Sequence, residues 1–221
     1  MKSIRHSLPR PPVFPADLPC GELTTLDDDS EYGPMAVEEA ALGGVSAVSV
    51  SFDGILFRRA AFGRARLPNV RIADTRFEAS DLSGASMQKA RFHRVEFIGC
   101  RLTGMQLLEF NGSDILFRDC MMENAMFTSG RLRSARFEKC AFRRALVERM
   151  DMTGAVFQAC DLSGADFSAS LLKGVDFRGS DLTGVRVEGR QLKGVIIDSV
   201  QSIQIAALLG IIVRDPGDPG D

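Results

Sequence analysis

A repeat with a period of five residues constrains this chain more than any other feature of its sequence. From Phe52 to Ile197 a large apolar residue stands at every fifth position, with a single lapse at Gly112 and no insertion or deletion. Two positions earlier, a second column holds mostly small residues such as Ala60 and Ala165, and the other three places are mostly polar, charged or glycine. Neither the helical period of roughly 3.6 residues nor the strict alternation of a strand produces this pattern. It predicts a repeating unit that turns two side chains inward and three outward.

Three segments carry a resemblance to a known family: AspLeuSerGlyAla from Asp81, AspLeuSerGlyAlaAspPhe from Asp161 and AspPheArgGlySerAspLeuThrGly from Asp176. They resemble the pentapeptide repeat proteins, whose consensus is A(D/N)LXX. The resemblance implies an all-β fold class: a right-handed quadrilateral parallel β-helix in which each repeat forms one side and four repeats close a coil of about 20 residues. It also implies a module that is not an enzyme.

The coil can be tested on the sequence, because residues one coil apart should stack on one side. One interior column is occupied by phenylalanine at every coil from Phe57 to Phe177. Such a stack buries apolar surface continuously, and each ring contributes roughly 1.5 to 3 kcal/mol through burial. The lapse at Gly112 is preceded by Phe110 at a normally small position, so we expect the Phe110 ring to fill the space that Gly112 leaves.

The chain divides into four expected regions. Residues 1–34 are proline-rich and then acidic, and we expect an irregular N-terminal cap there. Residues 35–199 keep the phase of the repeat and should form the β-helix. Residues 200–213 should form a short C-terminal helix and a strand, with Asp198 or Ser199 as the N-cap and Gly210 where the helix ends. Residues 214–221 are rich in proline, glycine and aspartate, and a disordered tail is expected.

Residues 200–213 carry more apolar side chains than a single coil can bury. This ending resembles the carboxy-terminal helix and strand through which quinolone-resistance members of the family form two-fold dimers, and the resemblance implies a homodimer. A helical lid on a monomer is the alternative. The candidate residues of the dimer interface are Ile203, Ile205, Leu208, Leu209, Ile211, Ile212 and Val213.

No constellation of residues in the sequence indicates catalysis. Neither His6 nor His93 has a nucleophile and a carboxylate at motif spacing, and no glycine-rich phosphate loop or metal-binding signature is present. We therefore expect no catalytic, metal or cofactor-binding residues and no cofactor. Four of the five cysteines share one interior position on successive coils, where parallel side chains do not converge on an ion, so that core filling is expected. They are Cys100, Cys120, Cys140 and Cys160.

The composition is that of an ordinary soluble protein, with 45% hydrophobic and 25% charged residues. No stretch approaches the ~20 apolar residues that cross a bilayer. The first residues are interrupted by prolines and lack the apolar run of a secretory signal. We expect a cytoplasmic protein that does not enter a membrane.

Two functional hypotheses follow. The first is a rigid, non-enzymatic protein-binding scaffold whose partner is not identified. The alternative is implied by the resemblance: imitation of duplex DNA in the DNA-binding site of DNA gyrase, a type II topoisomerase, with protection against fluoroquinolones. Imitation of DNA needs negative charge along one side, yet no side of the coil carries an acidic excess in this sequence, which favours the scaffold.

Two sets of outward residues are candidates for the partner surface. One side is rich in arginine, and apolar residues recur at outward positions where a solvated face should be polar. Direct binding of nucleic acid is disfavoured, because the arginine-rich side has no interleaved aromatic residues. The candidates are Arg91, Arg94, Arg131 and Arg133 on the basic side, and Leu56, Ile98, Leu116 and Val156 in the apolar stripe.

Overall fold

The computed structural model describes residues 6–214, and these form a parallel β-helix wound around one continuous apolar core. Of the expected disordered tail, residues 215–221 lie outside the described residues. All strands join one 12-stranded sheet. The strands are β1 (Cys20–Gly21), β2 (Glu31–Tyr32), β3 (Met35–Glu38), β4 (Ser51–Asp53), β5 (Ile55–Arg58), β6 (Arg71–Glu78), β7 (Arg91–Ile98), β8 (Gln106–Leu108), β9 (Asn111–Arg118), β10 (Met126–Glu138), β11 (Leu146–Asp151) and β12 (Val156–Gln158); a 3-10 helix (Gly189–Leu192) and the helix α1 (Ser199–Leu208) follow.

The coil has four sides, which we name in chain order after the large apolar residues at their centres. Side A is centred on Phe52, side B on Phe57, side C on Phe62 and side D on Leu67. Each side recurs one coil later in parallel register, as Phe57 does opposite Phe77. The register is the one that the five-residue period predicts, and the predicted β-helix is confirmed.

The phenylalanine column of side B forms a stack of rings inside the coil. The ring centroids of Phe77, Phe97 and Phe117 are spaced 4.9 Å apart, with interplanar angles of 4° and 5°. This spacing follows the separation of about 4.8 Å between hydrogen-bonded strands. The rings are fully buried, so the column is the continuous apolar core that the sequence predicts.

Left-handed residues turn the corners of the coil, two positions after each central apolar residue. Arg94, Gly104 and Asp119 adopt φ angles of 52°, 67° and 53°. On several repeats an aspartate before the central residue closes the turn: the backbone N–H of Ser163 donates to Asp161 Oδ1 at 3.0 Å, and its hydroxyl donates to the same oxygen at 2.6 Å. This turn explains the aspartate of the consensus, because a short carboxylate accepts from the backbone two residues later.

These turn aspartates predict a loss of stability in acid. Partial burial acts to raise the pKa of Asp161, but hydrogen bonds from Ser163 and Arg143 outweigh it and the pKa lies below its ordinary value. The pKa values of Asp81 and Asp151 are lowered in the same way by Ser83 and by Thr153. A lowered folded-state pKa stabilises the fold above the unfolded value of about 3.9, and this contribution disappears as the pH falls through the folded values.

We therefore expect the melting temperature followed by circular dichroism to be level near neutral pH and to fall steeply below about pH 4. Asp161→Asn keeps an acceptor oxygen for Ser163 but does not titrate, so this variant should show a shallower fall. An equal slope in both proteins would contradict the assignment of this stability to the turn carboxylates.

Phe110 fills the interior where the central column lapses. Its ring is fully buried and lies 5.1 Å from the ring of Phe92, edge to face. A Cβ atom built on Gly112 would lie 3.1 Å from Cζ of Phe110 and 2.2 Å from Cδ1 of Ile115. The volume that the large residue leaves at Gly112 is thus taken by its neighbours, as the sequence predicts for Phe110.

The residues before the first full coil form two distinct segments. Strand β2 pairs with β4, and the ring of Tyr32 stacks on that of Phe52 at 5.7 Å, so the register of side A already holds at Tyr32. Residues 6–14, which we call the N-terminal strap, lie elsewhere: they run along the outer corner between sides A and B, from the level of Gly174 down to that of Asp74. The strap therefore covers this corner of the β-helix rather than its end.

Helix α1 closes the opposite end of the coil. Asp198 is its N-cap and forms a reciprocal capping box with Gln201. Gly210, at φ 71°, follows the last turn, as the sequence predicts. Residues 211–214 form no regular structure, so the strand expected there is not present in the single chain. Neither helix in residues 6–214 is long and apolar enough to cross a membrane.

Candidate interaction surfaces

The four candidate arginines all project from side A, but two of them are ion-paired and two are not. Arg94 pairs with Asp74 one coil below, and Arg131 pairs with Asp151 one coil above at 2.9 Å. Arg91 and Arg133 are exposed and form no ion pair within residues 6–214. Arg71, which sequence reasoning did not single out, is exposed and stacks directly below Arg91 in the same column. The arginines of side A that remain available to a partner are therefore Arg71, Arg91 and Arg133. Three further arginines on sides C and D are also exposed without an ion pair in residues 6–214: Arg64, Arg66 and Arg144.

A polar groove of about 410 Å³ runs along the corner between sides D and A. Arg71 and Arg91 form one wall, and the other wall comes from the corner residues of side D on successive coils. Lys89 approaches Glu109 within 4.0 Å across this second wall. The groove is lined by Ser49, Asn69, Arg71, Lys89, Arg91, Glu109 and Asn111.

Ion pairs between adjacent coils neutralise much of the remaining surface. Arg58 pairs with Glu38 at 3.2 Å and with Glu78 at 3.1 Å, one coil to each side. Arg143 on side C bridges two coils in the same way through Glu123 and Asp161. Because the two signs alternate along these columns, no continuous acidic side exists among the described residues.

The prediction that Leu56 and Leu116 belong to an exposed apolar stripe is wrong, because the two residues are only 9% and 8% exposed. The strap passes over this corner: Arg10 binds Asp114, two residues before Leu116. Below it, the chain crosses from Phe14, over Arg76, to Pro19, whose carbonyl accepts from Ala36. Leu56 lies between Ala36 and Arg76 in the register and is covered by this crossing.

The other two apolar candidates are half-buried and lie among charged neighbours. Ile98 stands between Glu78 and Arg118 in one column of side B. Val156 stands between Arg136 and Asp176 in another. The four residues therefore do not form one open apolar surface, and the stripe is not retained as a partner surface.

The cysteine column donates hydrogen bonds to the backbone of side B. The thiol of Cys120 donates to the carbonyl oxygens of Phe97 and Arg118, both at 3.3 Å, and Cys140 and Cys160 repeat this arrangement one and two coils further on. Ser180 replaces the thiol by a hydroxyl that donates to Phe157. The column is a row of small buried hydrogen-bond donors, and no group of three or more metal-ligating side chains is assembled within residues 6–214.

Thiol reactivity should separate Cys20 from this column. Hydrogen bonding with the neighbouring thiol and burial raise the pKa values of Cys120 and Cys140 to about 12. The hydrogen bond with Cys120 lowers the pKa of Cys100, but this thiol is buried like the other three and out of reach of a reagent. Only the thiolate attacks a disulfide reagent, and Cys20 is the exposed cysteine. We expect one fast equivalent with Ellman's reagent on the native protein and the other four only after unfolding in denaturant. Cys20→Ser should abolish the fast phase; fast reaction of several thiols in the native protein would contradict the packing.

Comparison with known proteins identifies two matching family models. One, described as a pentapeptide repeat region, matches residues 70–145, and the other, described as pentapeptide repeats (8 copies), matches residues 151–189. Together the two matches span more than half of the chain. A comparison with curated proteins found no relative.

Among solved structures, full-length QnrB1, a plasmid-mediated fluoroquinolone resistance protein, is 18% identical; the match covers 86% of this chain and 100% of that chain, with a TM-score of 0.34. HetL, a pentapeptide repeat protein involved in heterocyst differentiation regulation in a cyanobacterium of the genus Nostoc, is 17% identical; the match covers 78% of this chain and 91% of that one, with a TM-score of 0.27. Likeness at these identities concerns the fold alone.

Proposed function

Because this chain belongs to the pentapeptide repeat family, we propose that it is a rigid, non-enzymatic protein-binding scaffold that recognises an acidic protein surface through side A. The observation that carries the proposal is the exposure of Arg71, Arg91 and Arg133 without an ion-pair partner in residues 6–214, on a molecule whose other outward arginines are largely paired. A cytoplasmic location, expected from the sequence, suits the free thiols of the core.

The arrangement of these arginines suits recognition of carboxylates. Arg71 and Arg91 are adjacent in one column, and they flank the groove at the corner of sides D and A. A rigid coil fixes their separation, so little conformational freedom is lost when a partner binds. Arginine is enriched at binding hot spots because its planar guanidinium forms paired hydrogen bonds with carboxylates.

The proposal is tested by capture on immobilised full-length protein from an extract of the native host. The double variant Arg91→Glu, Arg133→Glu is compared with the matched control Arg64→Glu, Arg144→Glu, in which the reversed charges lie on side C. We expect a captured protein with an acidic surface, retained by the control and bound at least tenfold more weakly by the side A variant. We also expect affinity to fall with added salt, because rim charges are screened. Equal binding by both variants would refute the role of side A.

The alternative function, imitation of DNA, makes a different prediction that can be tested on gyrase. A protein that occupies the DNA site of gyrase must present negative charge along its length. In the carboxy-terminal coils, where aspartates are most frequent, Asp161 is paired with Arg143 and Asp176 with Arg178. We expect no inhibition of gyrase supercoiling and no protection from a fluoroquinolone at micromolar protein. Inhibition of supercoiling would contradict the scaffold proposal and support the DNA mimic.

We also infer a homodimer through the C-terminal end. Ile205 and Leu208 pack against the coil, whereas Ile203, Leu209 and Ile211 are exposed, and so are Ile212 and Val213. A cluster of exposed aliphatic side chains beside an unpaired chain segment is suited to burial against a second copy.

Light scattering should give twice the chain mass of 24.1 kDa at tens of micromolar, and Ile211→Asp with Ile212→Asp should give a single chain. The matched control is Met121→Asp, which places one charge at an exposed apolar site on side C, away from both this end and the strap. If the wild-type protein has the mass of a single chain, the dimer is contradicted and helix α1 is instead a lid on a monomer.

A further inference from the structure

The N-terminal strap is an extended segment that contacts coils far apart in sequence. His6 Nε2 lies 2.8 Å from the carbonyl oxygen of Gly174, and the backbone N–H of Val13 donates to Asp74 Oδ1 at 2.8 Å. Between these ends, Arg10 binds Asp114 three times: its backbone N–H, Nε and Nη2 donate to the two carboxylate oxygens at 3.1, 2.9 and 2.6 Å. The strap therefore runs along the β-helix axis, against the direction in which the coils advance.

The corner under the strap differs from the other three corners. Its residues Asp74, Asp114 and Gly174 are buried, whereas the equivalent corner residues Lys89 and Asp119 on other sides are exposed. Both aspartates have pKa values below the ordinary range: hydrogen bonds from Arg94 and Val13 lower that of Asp74, and hydrogen bonds from Arg10 lower that of Asp114 against the effect of burial. Two ionised carboxylates thus lie beneath the strap at this corner, and Asp74 is in addition paired with Arg94.

The spacing of the two carboxylates matches an extended proline-rich chain. Asp74 and Asp114 are two coils apart, about 9.6 Å at the strand spacing. One turn of a polyproline helix takes three residues and rises about 9.3 Å. The backbone amides that they bind belong to Arg10 and Val13, which are three residues apart, and the two residues between them are prolines. Carboxylates on alternate coils can therefore meet every third residue of such a chain.

The strap is held by few contacts, and most of its surface faces solvent. The Arg10 side chain is 66% exposed against 8% for Asp114, and Leu8 and Val13 are largely exposed. Only Pro12 among residues 9–14 is buried. A segment held in this way remains in place through its covalent attachment, which gives it a high effective concentration.

We propose that the corner between sides A and B is a recognition groove for an extended, proline-rich peptide that carries one arginine, and that the strap occupies it in cis until a partner's segment of the same chemistry displaces it. This groove is separate from the part of the basic surface that lies toward side D, which carries Arg71 and Arg91, whereas Arg133 lies beside Ser134 at the strap's own corner. The failure of this proposal and that of the proposed function can be told apart, because Arg71→Glu, Arg91→Glu reverses charge only on the side D edge of side A and should leave peptide binding at this corner unchanged.

The first experiment measures release of the strap in the full chain. The sequence contains no tryptophan, so Phe14→Trp adds a single fluorophore where the Phe14 ring lies 5.9 Å from the guanidinium of Arg76. We expect a red-shifted emission when Arg10→Glu is added to this reporter. The further change Asp114→Arg restores an ion pair with exchanged charges and should reverse the shift; the backbone accepts arginine there, since Arg94 occupies the same corner position at φ 52° beside 55° for Asp114. If the emission of the Phe14→Trp reporter is the same with Arg10→Glu, and with Arg10→Glu and Asp114→Arg together, the proposal is overturned.

The second experiment measures binding in trans, with a fluorescein-labelled peptide of residues 6–15, HSLPRPPVFP, as the probe. Fluorescence anisotropy should show binding to the Arg10→Glu protein and at least tenfold weaker binding to the wild type, whose groove is occupied. Addition of Asp114→Arg to Arg10→Glu should abolish binding, whereas the control Asp119→Arg, at an exposed corner of side B, should leave it intact. Arg10→Ala serves as a second released variant. If neither released variant binds the peptide, the corner is not a recognition groove.

Discussion

Replacement of Phe110 by alanine is expected to lower the free energy of unfolding by about 3 to 5 kcal/mol, the cost of deleting a buried aromatic ring. The ring is fully buried between Phe92 and Phe127 and fills the space that Gly112 leaves in the central column. A coil contacts only its neighbours, so the cavity cannot be closed by residues from elsewhere in the molecule. Urea unfolding followed by circular dichroism measures the loss.

A second substitution tests whether the large side chain at position 110 takes the place of the one missing at position 112. Gly112→Leu alone overpacks the interior, because a Cβ there already meets Phe110, Ile115 and Leu132, and should cost about 1 to 3 kcal/mol. Combined with Phe110→Ala it restores the regular pattern, and we expect the double variant to be more stable than the sum of the single effects by at least about 1 kcal/mol. Additive losses would show that Phe110 does not substitute for the missing side chain.

Gln201→Ala should destabilise the closed end of the coil by about 2 to 5 kcal/mol, since two buried carbonyl groups lose their donor. The Gln201 side chain, in a residue 2% exposed, donates from Nε2 to the carbonyl oxygens of Phe177 and Ser180 at 2.6 and 2.7 Å. In the coil below, the carbonyl of Phe157 is bonded by Ser180 instead. The helix thus supplies the donor that another coil would have contributed.

Two variants distinguish loss of this donor from general damage to the helix. Gln201→Glu keeps the size of the side chain but turns a carboxylate oxygen toward two carbonyls, so it should be more destabilising than alanine at neutral pH. Gln204→Ala, about one turn further on, removes bonds from Nε2 to Asp181 and Thr183 at 3.2 Å and the bond that Oε1 accepts from the backbone N–H of Leu182 at 3.3 Å, and it should cost less than Gln201→Ala because these groups are less buried. Thermal unfolding of the three variants measures the order; equal losses at Gln201 and Gln204 would contradict the cap.

Much of the fold could be predicted because its contacts repeat at a fixed interval in the sequence. The phenylalanine column, the replacement of Gly112 by Phe110 and the end of the helix at Gly210 each follow from a local pattern. The basic side was also visible, but Arg71 was missed, although its place in the column of Arg91 was a signal that the period offered. Which arginines are paired could not be predicted, because pairing depends on side-chain geometry across coils.

The strap carried no such signal. Its polar contacts join residues 104 and 61 apart in sequence, and proline-rich segments have neither period nor amphipathic face. The error at Leu56 and Leu116 has the same origin, since an outward position in a repeat is exposed only if no other segment lies over it.

The period of five in the sequence is enough to specify the parallel β-helix, the residues that face its core and the turn that each repeat makes, because every coil repeats one local set of hydrogen bonds and apolar contacts. Which outward residues are available to a partner is evident only from the folded molecule. Availability depends on ion pairs between coils and on the path of residues 6–14, and both are set by contacts that do not recur with the period of five.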